Sequence, residues 1–65
     1  MHYFNSTAVR AASYDPITGT LTLWFTSGDH GYDYYNVPQW VFDGLLNAAS
    51  KGSYFNAFIR DQYAA

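Results

Sequence analysis

Residues 20–26 read Thr20-Leu21-Thr22-Leu23-Trp24-Phe25-Thr26, an unbroken alternation of two kinds of side chain. Successive residues of a strand point to opposite faces, so Leu21, Leu23 and Phe25 share one face. Thr20, Thr22, Trp24 and Thr26 share the other. β-Branched and aromatic residues at period two predict a strand with its leucine face on a core. Trp24 then belongs to the face turned toward water or a partner.

The segments on either side extend this strand into a sheet. Asp15-Pro16-Ile17-Thr18-Gly19 precedes it. Proline presets φ, aspartate bonds back to the turn backbone and glycine accepts positive φ, which predicts a hairpin connection. Residues 7–14 (TAVRAASY) then form the preceding strand. Ser27-Gly28-Asp29-His30-Gly31 is a second turn, and residues 32–37 a third strand. Pro38 suits the first position of a helix. Val41, Leu45 and Ala48 recur at helical spacing, predicting a helix over 38–48. Gly44 inside it is expected to pack closely against the sheet. After a break at 49–53, a second helix is expected over 53–62, capped by Ser50 or Ser53. Strands followed by helices imply α+β: a three-stranded antiparallel meander with two short helices packed on one face. Residues 1–6 form an N-terminal arm, and 7–65 a single domain. Tyr3 and Phe4 of the arm are available to pair with a sheet edge or dock on a neighbour.

Composition limits the function. Sixty-five residues permit one small domain. With 22% aromatic and 12% charged residues, the chain is not a disordered tail. It has no cysteine, hence no disulfide or thiolate site. No apolar run approaches the ~20 residues of a membrane span, and the start lacks the basic and apolar regions of a signal peptide. A cytoplasmic protein is expected. Two Trp, seven Tyr and five Phe exceed what so small a core can hide, so some aromatics face a ligand or another copy of the chain, and a homo-oligomer is expected. The net charge of -2 argues against broad duplex binding.

Candidate chemistry is sparse. His2 and His30 are far apart and have no metal-ligand spacing, so no metal and no cofactor is expected. No serine sits in a Gly-x-Ser-x-Gly elbow, and the five acidic residues, all aspartates, fall mainly in turns and at helix edges. The chain is therefore read as a non-enzyme. Ser50-Lys51-Gly52-Ser53 ahead of a helix is either an anion site or an ordinary capped linker. As an anion site it combines free N–H groups, close approach at Gly52 and the Lys51 charge, with Arg60 folding back. As a linker it leaves Lys51 solvated. Lys51→Ala is expected to weaken anion binding while leaving the thermal midpoint nearly unchanged. Tyr32 and Tyr34 share a face that is either core or a platform for stacking bases. Trp24 and Tyr35 are the better candidates for an interaction surface.

Taken together, several features resemble the KTSC domain family, a module named for the C-terminus of some lysyl-tRNA synthetases. They are the Tyr14-Asp15 turn, Leu21-x-Leu23-x-Phe25, Tyr32-x-Tyr34, Val37-Pro38, Leu45-Leu46, Ser50-Lys51-Gly52-x-Tyr54-Phe55-Asn56 and Ile59-Arg60. The resemblance runs from about Thr7 onward. It implies a domain of bacterial or phage type that often stands alone. It also implies RNA binding, with Tyr32, Tyr34, Lys51, Gly52, Tyr54, Asn56 and Arg60 at the matching positions. Asp33 and Ser53 stand where the family often has basic residues, which favours a compact phosphate site over an extended RNA track. Three functions follow from these residues: an RNA- or nucleotide-binding module using Lys51, Gly52 and Arg60; an oligomer that sequesters a soluble nucleotide signal; or a protein-interaction adaptor using Trp24, Tyr35 and the Tyr3-Phe4 arm.

Overall fold

The computed structural model describes residues 1–63. It contains four strands and two helices: β1 (His2–Tyr3), β2 (Val9–Asp15), β3 (Thr20–Phe25), β4 (Gly31–Tyr34), α1 (Gln39–Asn47) and α2 (Lys51–Phe58). The strands form one antiparallel sheet in the order β1-β2-β3-β4. The class is α+β as the sequence implies, but the meander has four strands, not three. The additional strand comes from the supposed arm, where His2 pairs with Ala12 and Tyr3 with Ala11. Two residues are too few to display a period, but Tyr3 takes up the sheet-edge pairing that is one of the two roles open to the arm. The strand forms because Ala11 and Ala12 present little bulk and Phe4 N–H continues the ladder to the Arg10 carbonyl at 2.9 Å.

The central alternation is realised in the packing. Leu21 and Leu23 are fully buried, and Phe25 packs half-buried against the core. The Asp15 turn closes as its residues require. The Asp15 side chain accepts the Ile17 N–H at 2.9 Å, and Gly19 adopts φ +74°. The Gly19 carbonyl then accepts the Val37 N–H at 2.9 Å, while the Tyr14 hydroxyl donates to the Val37 carbonyl. These bonds draw the β4–α1 connection across the turn and bury Val37. The third predicted strand therefore ends early, at Tyr34. Asn36 takes φ 58°, which breaks extended pairing before Val37.

Both helices cover the same sheet face. Val41, Phe42 and Leu45 of α1 enter the core with Val9, Ala12 and Ile59. Pro38 is the cap residue rather than the first helical one. Gly44 has a different partner from the one expected. A Cβ at this position would lie 2.6 Å from Cζ of Tyr54, so the close approach is to α2 and not to the sheet. Helix α2 begins two residues earlier than predicted because Ser50 is its cap, accepting the Ser53 N–H at 3.2 Å. It also ends earlier, at Phe58, and carries no fully buried residue.

Candidate functional site

One polar cleft of about 500 Å³ opens between residues 3–8 and residues 49–52. Its floor forms where α2 meets the β1–β2 connection. A Cβ at Gly52 would come within 2.9 Å of the Ala8 Cβ, so glycine here permits the helix and the connection to touch. The connection is shaped by Ser6, whose Oγ accepts the N–H groups of Ala8 and Val9, each at 3.2 Å. On the helical wall, Ser50 Oγ donates to Ser53 Oγ at 3.0 Å. The N–H groups of Lys51 and Gly52, in the first turn, have no intrahelical acceptor.

Lys51 is the cation of the cleft, and it is not simply solvated. Its Nζ donates to the carbonyls of Leu46 at 3.0 Å and Ala48 at 2.6 Å. It also lies 5.0 Å from the Phe4 ring centroid. The ammonium therefore closes the C-terminal end of α1, where positive charge is favoured. An ammonium has three N–H donors, so one remains beyond those two bonds. The expectation that Lys51→Ala leaves the fold untouched is corrected accordingly.

The other sequence-derived candidates are dispersed. Arg60 follows α2 at the end opposite Lys51, about 12 Å of helix away at 1.5 Å per residue. It is exposed and reaches Asn56 Oδ1 at 3.5 Å. Neither Arg60 nor Asn56 borders the cleft. Tyr34 is buried with its ring 5.8 Å from that of Phe55, whereas Tyr32 is half-exposed beside Phe25. Burial, and then the neighbouring Tyr32, raise the Tyr34 pKa. Tyr54 donates its hydroxyl to the Val41 carbonyl at 2.9 Å, and burial raises its pKa too, with Tyr63 adding a smaller effect. Of the two interaction candidates, Trp24 is half-buried and Tyr35 half-exposed. The aromatics at the cleft are Tyr3 and Phe4. They come from the segment read as an arm, and no sequence pattern marks them. Among the described residues no group of three potential metal ligands occurs, and no helix is long and apolar enough to cross a membrane.

A small antiparallel sheet with a helical pair on one face, and a polar cleft where the second helix meets the first connection, defines a compact single-domain α+β module. The chain matches the KTSC domain family over residues 5–63 and belongs to that family. It is 43% identical over 65 residues to a protein of Tsukamurella paurometabola, covering 100% of this chain and 96% of that one. It is also 49% identical over 55 residues to a lysine–tRNA ligase of Nostoc sp., a stretch that covers 85% of this chain but 10% of the ligase. The chain thus spans a small fraction of that relative. The crystal structure of a KTSC domain protein from Yersinia pestis superposes with a TM-score of 0.91 at 25% identity, covering 97% of this chain and 87% of that one.

Proposed function

We propose that this domain is a non-catalytic module that binds RNA or a nucleotide through a single phosphate group. The phosphate sits in the cleft beside Ser50, Lys51 and Gly52, with Tyr3 at its edge. The observation that carries this reading is a polar cleft holding Lys51 and the first turn of α2 together. The remaining Lys51 N–H, the two free backbone N–H groups and the positive end of the helix all favour an anion. That a lysine–tRNA ligase contains a related segment adds support for RNA as the source of the phosphate. Arg60 has no part in this version of the site, and Tyr32, Tyr34 and Tyr54 act as packing residues. A second reading, a protein-interaction adaptor, is favoured by the exposure of Trp40 and Phe58 on the helical side.

Fluorescence anisotropy with a short single-stranded RNA tests the proposal. One phosphate held at the cleft gives a log–log salt slope of about -0.7. Asn5→Asp, which adds a negative charge at the exposed rim without touching Lys51, is expected to weaken binding about fivefold. No affinity for RNA or nucleotides at low salt removes the proposal. Concentration-dependent self-association without nucleotide binding favours the adaptor.

A further inference from the structure

The sheet ends on one side at β4, which pairs only with β3. Beyond that ladder, no main-chain hydrogen bond among the described residues involves residues 31–35. The outer N–H and C=O groups of β4 are therefore unpaired, and such an edge is a template for another strand. The opposite edge is β1, whose two residues are too few to serve. β4 has four residues and carries neither the proline nor the lysine that commonly blunts an edge. Its one charge, Asp33, accepts the Thr22 hydroxyl at 2.6 Å on the face without helices.

That charge decides how a second copy can pair here. Two identical strands pair antiparallel about a two-fold axis through the sheet, and each residue meets one from the same face. With Asp33 on the axis, the two Asp33 carboxylates face each other. With Gly31 on the axis, Asp29 faces Asp33. Like charges directly opposite are destabilising. With Tyr34 on the axis, Tyr32 faces Asn36, whose φ of 58° has already taken the chain out of the extended form. With Tyr32 on the axis, Asp33 faces Gly31 and no two aspartates are opposed.

The register centred on Tyr32 is also complementary on both faces. Tyr32 stands opposite Leu23, on the helical face, yet is 48% exposed. Two Tyr32 rings meet across the axis and cover each other. On the other face, the space above Gly31 is taken by the indole of Trp24, since a Cβ there would lie 3.0 Å from Nε1. The indole N–H has no acceptor among the described residues and is not buried, so it is open to solvent. Asp33 of the second copy lies one strand spacing beyond Gly31, about 4.8 Å, most of which an aspartate side chain spans. Thr22 occupies one oxygen of that carboxylate, and the other is an acceptor for the indole N–H.

We infer that β4 is a dimerisation edge. Two copies pair antiparallel about Tyr32, which joins their sheets into one, with Tyr32 against Tyr32 on the helical face and Asp33 bonded to Trp24 of the other copy on the open face. Four ladder residues per copy fall far short of the roughly 20–30 a side of a standard interface, so the association is weak and reversible. No residue of β4 borders the phosphate cleft, so the dimer neither needs nor excludes nucleotide binding.

Sedimentation velocity from about 10 µM to 1 mM is expected to show a monomer passing into a dimer. In a Trp40→Phe background, which leaves Trp24 as the only indole, its emission should change over the same concentrations. Tyr32→Lys sets two ammonium groups on the axis and should raise the dissociation constant at least tenfold. Because the chain has no cysteine, single cysteines report the register. Tyr32→Cys places opposite Cβ atoms about 4.5–5.5 Å apart, close to disulfide reach, and should cross-link under mild oxidation at least tenfold faster than Asp33→Cys. Should Tyr32→Lys fail to fold, the cysteine pair still decides. A chain that remains monomeric at 1 mM overturns the dimer and leaves the edge to an extended segment of another protein. A dimer that folded Tyr32→Lys does not weaken, or one that cross-links as fast through Asp33→Cys, overturns the pairing about Tyr32.

Discussion

Replacing Lys51 with methionine keeps the aliphatic stem and removes the ammonium. The structure then loses two charge-assisted hydrogen bonds, to the carbonyls of Leu46 and Ala48, and the contact with the Phe4 ring. Hydrogen bonds to charged groups contribute about 1.5–3 kcal/mol each where burial is complete. Lys51 is only half-buried, and water can reach the freed carbonyls, so the pair is expected to contribute about 1.5 kcal/mol. The aromatic contact adds roughly 0.5 kcal/mol. A loss of about 2 kcal/mol in a domain this size lowers the thermal midpoint by roughly 8–16 °C. Thermal unfolding followed by far-UV circular dichroism measures it, with Lys51→Arg as the charge-retaining control, expected to recover at least half of the drop. A Lys51→Met midpoint within a degree of the parent would refute the reasoning and return Lys51 to the status of a solvated side chain.

Gly44→Ala ought to gain about 1 kcal/mol from helix propensity, yet we expect net destabilisation by about 1–2 kcal/mol because the methyl overlaps the Tyr54 ring. In a Tyr54→Ala background the same change should become stabilising, and a double-mutant cycle in urea that shows no coupling contradicts the packing. Leu23→Ala should cost about 2–5 kcal/mol, since Leu23 is fully buried; a neutral result in chemical denaturation would mean an inverted strand. Tyr34 and Tyr54 have raised pKa values, so the folded state keeps protons that the unfolded chain releases near pH 10. Their contribution is intact below that pH and is lost as pH rises through ten toward the folded-state values. Urea midpoints from pH 8 to 11 should fall, less steeply in Tyr34→Phe; an unchanged slope in that variant removes Tyr34 as a cause.

Much of the fold was legible because local chemistry agrees with tertiary packing. The alternation at 20–26 fixes which face Leu21 and Leu23 bury, and the Asp15–Gly19 turn closes through the bonds its residue types favour. What escaped was set by long-range contacts. For the arm, the sequence leaves sheet-edge pairing and docking on a neighbour both open; the pairing of His2 and Tyr3 depends on small residues eight to ten positions away. The end of β4 depends on Val37 being drawn to Gly19 and Tyr14. At the site, the sequence offers Ser50 or Ser53 as the cap and Ser50 takes the role, but it gives no sign that Lys51 reaches back to the end of α1. Arg60 reads as a partner of Lys51 only if the chain folds back, whereas the eight residues of α2 separate them. The aromatic partners of the cleft came from the segment with the least pattern.

The most direct test of the phosphate cleft is an amide NMR titration of the chain with guanosine monophosphate at low salt. The account predicts that the N–H resonances of Ser6, Thr7, Lys51 and Gly52 shift together and saturate at one ligand per chain. If those four remain still while millimolar ligand is added, or if the shifts gather around Asn56 and Arg60 instead, the cleft does not bind phosphate.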